Sequence, residues 1–600
     1  MRRAVSQGLQ AFRTVRYSTA WRTGGRRSSR AYFSSGQALA LHKRQTPYIP
    51  ASLHASMHVR NFSLAFLSTL VASGAWYAYK GTQQQSSFLN GTTNLQSRGI
   101  ADTTTETATG EATTSTRRAL LVENDQFYTA VLSGDQPIAK QSDDSDRRVL
   151  EMLTPEQATQ KLRKNDESYL VSRGRGVVRY DITQVPSNSP IEDDHAEKIV
   201  EVPLATAQDG SSKSDWMFWG VFDGHSGWTT SAKLRNVLIS YVARELNTTY
   251  KAAATDPSVK TPSPEAIDNA IKQGFVRLDN DIVYESVDKV MKSNSRRVAA
   301  EILAPALSGS CALLAFYDSQ SQDLRIAVAG DSRAVLGRRG PSGKWVATAL
   351  SEDQTGGTPS EIERLQKEHP GEQYVVRNGR ILGQLEPSRS FGDAFYKWTR
   401  ETQDKIKSRF FGRTPHPMLK TPPYVTAEPI ITRTKIDPKQ GDFVVLATDG
   451  LWEMLTNEEV VGLVGQWLET QRLGDGAKGS WLQGLFGSSE TKQLPVEKAT
   501  ETKTAGQRPP IRQQQYDISG AAQRFVVEDK NAATHLVRNA MGGKDRDMVS
   551  ALLTLPSPYS RRYRDDITVE VIFFGESAND GSVTVNKEAT ASAESAKPKL

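Results

Sequence analysis

A single cysteine, Cys311, stands among 600 residues, which excludes an intramolecular disulfide framework and any cysteine-based zinc site. Such a chain does not rely on an oxidising compartment. Acid is missing from residues 1–101, which carry 13 Lys and Arg and no Asp or Glu. The rest holds 62 basic against 68 acidic residues, so the net charge of +7 belongs to the leader and the body is negative. That balance argues against a nucleic-acid partner. There is no glycine-rich phosphate loop and no internal repeat, and the one long uncharged apolar run is Phe62–Tyr79.

Residues 1–60 are rich in arginine and serine, with Arg2, Arg3, Arg13, Arg16, Arg22, Arg26, Arg27 and Arg30 and no acid. That is the composition of a mitochondrial presequence, the alternative being a plain basic tail. Residues 61–80 follow. Their apolar run ends in Trp76, Tyr77 and Tyr79 beside Lys80, as an interfacial anchor would, and its length is near the short limit for one membrane span. A second translocated part of the presequence is the other reading.

Residues 81–117 are Thr, Gln, Ser and Gly, too polar to bury a core, and read as a disordered linker. Residues 118–164 form an N-terminal extension. The folded domain is expected over 165–575, with a low-complexity surface insertion at about 474–520 and a disordered tail over 576–600. The terminal Lys597-Pro598-Lys599-Leu600 only weakly resembles a peroxisomal address. Within the domain, Trp216–Phe222, Ala312–Tyr317, Leu324–Ala329, Phe443–Thr448 and Ile567–Phe574 have strand length and β-branched or aromatic content. Leu234, Val237, Leu238, Tyr241, Val242 and Leu246 recur at helical spacing. A mixed α and β domain follows.

Two of these strands end in the same way, at Asp223-Gly224-His225 and at Asp449-Gly450. One Asp-Gly is an ordinary turn. Here the edges of other apolar runs carry Glu192, Asp193, Asp331, Asp393, Asp565 and Asp566 as well. Gathered at one place these carboxylates would repel each other, and a hard divalent cation with oxygen-only ligands, Mg2+ or Mn2+, would remove that repulsion.

The segments SPIED (189–193), VFDGHSG (221–227), SGSCALLAF (308–316), VAGDSRAVL (328–336), PSRSFGD (387–393), VTAEPI (425–430), LATDGLWEML (446–455) and RDDITVEVI (564–572) resemble, in order and spacing, the metal-dependent phosphatase 2C family. Through SPIED and NAATHLVRNAMGG (531–543) the chain is most similar to its pyruvate dehydrogenase phosphatase branch.

The resemblance implies an α+β fold of two packed antiparallel β-sheets flanked by helices. It also implies a protein serine/threonine phosphatase using two Mg2+ or Mn2+ ions to activate a water. Asp223 would bridge both metals and the Gly224 carbonyl would bind the first. Glu192, Asp449 and Asp565 would hold the second, with Asp193 supporting a bound water. His225 would be the general acid, and Asp331 with Asp449 and Glu453 would form the looser third metal site of some members. The implied substrate is a phosphoprotein, the alpha subunit of the pyruvate dehydrogenase complex. That substrate lies in the matrix, whereas an anchor at 61–80 would leave the domain facing the intermembrane space and other phosphoproteins. One departure stands out: Asn188 occupies the position where many members carry an arginine that grips the substrate phosphate. Arg400, Lys405, Lys407, Arg409 and Arg413 are then candidate substitutes, with a solvated loop as the alternative. A catalytically dead member acting as a binding module would lack metal ligands, and Asp223, Asp449 and Asp565 are all present.

Overall fold

Strand Lys213–Phe222 explains why the domain is layered. Trp216, Phe218 and Phe222 pack with helices on one side, while Met217, Trp219 and Val221 pack against a second sheet on the other. A strand covered on both faces carries an unbroken apolar run, because the side chains alternate with period two and both sets are buried. Each such fully buried side chain contributes roughly 1.5–3 kcal/mol. The same division runs through Ala312–Asp318 and through Phe443–Ala447.

The computed structural model describes residues 116–123, 126–133, 148–203, 213–255, 258, 261–476, 493–497, 506–516, 524–576 and 580–591. One sheet runs in the order Ile430–Lys435, Asp323–Ala329, Ala312–Asp318, Lys213–Phe222, Asp194–Pro203. The other runs Trp345–Ala349, Arg333–Arg339, Phe443–Ala447, Ile567–Phe574, Val177–Val185, Glu167–Ser172, Ser582–Val585. All neighbours in both are antiparallel. Helices Thr229–Thr255, Pro264–Asn280 and Arg296–Leu307 cover the five-stranded sheet. Helices Asn457–Gly476, Ala532–Ala540 and Arg546–Thr554 cover the seven-stranded one. This is the α+β sandwich expected.

Two segments differ from the sequence reading. The tail from 576 is not all outside the fold, because Ser582–Val585 pairs with Glu167–Ser172 and the Thr590 hydroxyl accepts from the Ser168 N–H. The insertion at 474–520 is not wholly a surface feature either. Its residue Tyr516 is 1% exposed, and Trp345 bridges to Val496. The extension contributes a three-stranded sheet, Gln126–Ser133, Thr116–Glu123, Arg148–Glu151, and a helix Pro155–Leu162 begun by a Thr154–Gln157 capping box.

The presequence at 1–60, the apolar run at 61–80 and nearly all of the linker at 81–117 lie outside the described residues, as does the C-terminal tripeptide. Among the described residues no helix is long and apolar enough to cross a membrane.

Candidate active site

The acidic residues meet because the strands carrying them end together. Asp194 pairs with Phe222, which sets Asp193 beside Asp223. Ala447 pairs with Val569, and the Thr448 N–H donates to the Thr568 carbonyl at 3.1 Å, so Asp449 and the Asp565-Asp566 pair emerge at one edge. Cys311 links two further strand ends: its N–H donates to the Asp223 carbonyl at 2.8 Å and its buried thiol to Asp331 Oδ1 at 3.2 Å. As a result, carboxylate oxygens of Asp223, Asp331 and Asp449 all lie within 4.8 Å of one another. Gly224 is required by a close approach, since a Cβ there would collide with the Glu192 carbonyl oxygen.

Asp566 organises the SPIED loop. Its carboxylate accepts from the N–H groups of Asn188 and Glu192, both at 2.9 Å, and from Asn188 Nδ2 at 3.2 Å. Asp193, 4% exposed, accepts from the hydroxyls of Thr448 at 2.9 Å and Thr568 at 2.8 Å. Burial, and then the neighbouring carboxylates, push Asp223, Asp193 and Asp449 well above the usual carboxylate range. Burial likewise raises Glu192 and Asp331, and takes Asp565 up to about 6 against the opposing pull of Arg561.

Three arginines close on this negative charge. Arg508 reaches Glu386 at 2.8 Å, Asp449 at 3.8 Å and Glu453 at 4.0 Å. Arg512 holds Glu453 at 2.9 Å, and Arg561 holds Glu192 at 3.1 Å and Asp565 at 3.3 Å. Glu453, one helical turn beyond Asp449, is thus at the cleft but already paired with guanidinium groups. Arg508 is itself anchored through its backbone, its N–H donating to Asp353 and its carbonyl accepting from Arg333.

His225 lies 2.7 Å, Nε2 to Oδ2, from Asp393. Burial alone would lower the His225 pKa, but the Asp393 charge and hydrogen bond outweigh it and the group is raised. Asp393 is correspondingly held down, because His225, Ser390 and Lys397 overcome the effect of its own burial. The Asp393 carboxylate thus favours the protonated form of the His225 ring at the cleft.

The basic residues of 400–413 are occupied elsewhere. Arg400 donates to the carbonyls of His416 and Leu419, Lys405 pairs with Glu401, Lys407 bonds Thr414, Arg409 donates to the Met291 sulfur, and Arg413 covers the Phe395 ring. A second buried group, His195, Glu197 and Glu570, was not singled out from the sequence; His195 Nδ1 is 2.5 Å from Glu197 Oε1. Nor were Arg508, Arg512 and Arg561, since arginines in polar stretches give no local signal. The His225 partner did carry one, as Asp393 closes a run that ends in Gly-Asp.

An all-oxygen donor set, closely spaced and driven above its ordinary pKa range by burial and then by neighbouring carboxylates, fits hard divalent cations. The protein phosphatase 2C family pattern matches residues 192–479. The chain is 39% identical over 584 residues to the mitochondrial pyruvate dehydrogenase (acetyl-transferring) phosphatase 1 of Saccharomyces cerevisiae, covering 94% of this chain and 93% of that protein. It is 44% identical over 419 residues to a protein phosphatase 2C homolog of Schizosaccharomyces pombe, covering 70% and 85%. The mitochondrial pyruvate dehydrogenase phosphatase 1 of Bos taurus is 32% identical over 486 residues, covering 70% and 83%. Convergent strand ends, a crowded carboxylate cleft and this extent of similarity lead to one conclusion: the chain belongs to the protein phosphatase 2C family of metal-dependent protein phosphatases.

Proposed function

We propose that this phosphatase acts in mitochondria on phosphoserine and phosphothreonine of pyruvate dehydrogenase. The observation that carries the substrate is similarity along nearly the whole chain to a relative named for it, 39% identical over 584 residues; the arginine-rich, acid-free leader supports the compartment. The purified chain, supplied with Mg2+ or Mn2+, is expected to release phosphate from phosphorylated pyruvate dehydrogenase with kcat/KM at least about tenfold above unrelated mitochondrial phosphoproteins. Equal rates on all of them would overturn the substrate assignment. The apolar run Phe62–Tyr79 favours a second reading, a domain facing the intermembrane space. Digestion by protease in intact mitoplasts would support that reading and count against a matrix substrate.

In this mechanism Asp223, the Gly224 carbonyl, Glu192, Asp449 and Asp565 would hold two cations. When bound, these supply a nucleophile at neutral pH and offset charge on the phosphoryl oxygens. Asp193, fixed by Thr448 and Thr568, orients water at the same place. A third cation at Asp331 and Glu453 would have to displace the Arg508 guanidinium. His225 donates a proton to the leaving serine or threonine oxygen, and Asp393 keeps it charged.

This assignment fixes a sign. A general acid is active below its pKa, so the rate falls as pH rises through the His225 value. Asp393→Asn removes the charge that raises that value, while asparagine tolerates the left-handed backbone at φ 48°. The alkaline limb of the kcat profile is expected to move to lower pH. An unmoved limb would exclude His225 as the acid.

A further inference from the structure

The cleft that receives a phosphate dianion needs a cation on its open side, and Asn188 cannot supply one. Its amide nitrogen is already directed at two carboxylates, Asp566 at 3.2 Å and Glu192 at 3.5 Å. A neutral donor committed in this way offers neither charge nor a spare hydrogen toward an incoming anion.

A guanidinium stands beside it, delivered by a different segment. The turn Tyr559–Arg562 packs directly on the stretch that carries Asn188: the Ser560 hydroxyl donates to the Ser187 carbonyl, and Arg564 donates to the Pro186 carbonyl at 2.8 Å. Tyr563 and Arg564, each 1% exposed, fix the turn from below. This places Arg561 on Glu192 Oε2, the same oxygen that Asn188 faces, with a side chain 41% exposed at the cleft mouth. We propose that Arg561 is the residue that grips the substrate phosphate, taking the place left neutral by Asn188. In its planar fork Nη1 and Nη2 each donate once, to Glu192 and to Asp565 Oδ2 at 3.3 Å, which leaves three of the five guanidinium N–H groups and the full positive charge for phosphoryl oxygens, unlike the neutral amide of Asn188. The inference deepens the phosphatase reading and rests on it.

The test uses the full-length protein, a phosphothreonine peptide as substrate and inorganic phosphate as competitive inhibitor. Arg561→Ala is expected to raise both KM and the phosphate inhibition constant about 10- to 100-fold, with a smaller change in kcat. Calorimetric Mn2+ affinity should be equal or tighter, since a competing cation leaves Glu192 and Asp565. Arg561→Lys, which keeps the charge without the fork and guards against misfolding of the alanine variant, should fall between the two. Asn188→Arg in the Arg561→Ala background should bring the inhibition constant back toward wild type. Inhibition constants within twofold of wild type in both single variants would overturn the proposal and leave Arg561 as a counter-charge for the carboxylates. A wild-type chain inert toward the peptide would instead overturn the phosphatase reading itself.

Discussion

Asp223→Asn is expected to lower kcat by at least about a thousandfold, about 4 kcal/mol of lost transition-state stabilisation, without unfolding the domain. Asp223 sits where oxygens of three aspartates converge within 4.8 Å. Burial pushes it up most, followed by the charges of Asp449, Asp193, Asp331 and Asp565. An amide of the same shape keeps the packing and removes one repelling charge, so the metal-free variant should melt at the same temperature as the parent or above it. The same amide carries no negative charge with which to hold a divalent cation. Metal titration by calorimetry together with single-turnover rates checks both halves. Retention of more than a tenth of the parent rate with normal metal binding would remove Asp223 from the chemistry.

Chelation is expected to have the second large effect. EDTA should abolish turnover, and restoring Mg2+ or Mn2+ should recover it. The ions should also raise the melting temperature by on the order of 5–10 °C once each of two sites is at about a hundred times its Kd, about 2.7 kcal/mol per site.

The pH dependence has a definite direction. A carboxyl whose folded pKa lies above its unfolded value has bound its proton more tightly in the fold, so its contribution to stability falls as pH rises between the two values. For Asp565 that window runs from 3.8 to about 6, and Asp223, Asp193 and Asp449 extend it upward. The metal-free protein is therefore expected to lose stability on going from pH 5 to pH 7, and the protection given by the ion should grow over the same interval. Scanning calorimetry with and without Mn2+ measures both. Full activity in EDTA, or protection that shrinks as pH rises, would refute the metal site.

The strands buried on both faces were the legible part of the fold. Trp216–Phe222 and Phe443–Thr448 are nearly unbroken apolar runs, and each leads straight into an aspartate of the carboxylate cluster, so the sheet centre and the site centre were visible together. Edge strands were not. Asp194–Pro203 mixes charged and apolar residues, and four of the six residues of Ile430–Lys435 are threonine or cation; neither has the composition of a core strand, and only their pairing partners make them strands. Helix Thr229–Thr255 was legible from its stripe, because Leu234, Leu238, Val242 and Leu246 all face the same sheet.

In the site, single carboxylates at strand ends could be listed, but their convergence depends on register between strands distant in the sequence, such as Ala447 with Val569 and Ile567 with Val185. The arginines were harder still. Arg508 lies in a stretch of Gln, Arg and Pro with no apolar period, and Arg561 in a short turn, so nothing local distinguishes them from solvated cations. The basic helix Arg400–Arg409, with four cations in ten residues, directs them to its own neighbourhood.

The anchoring of Arg508 has a consequence for how this corner of the enzyme responds to its surroundings. A dissolved ion is present or absent according to its concentration, whereas a guanidinium tied by its backbone to Asp353 and Arg333 cannot be diluted or washed away. Positive charge beside Glu386 and Glu453 is thus written into the polypeptide, so this rim of the cleft keeps its cation whatever the free divalent concentration.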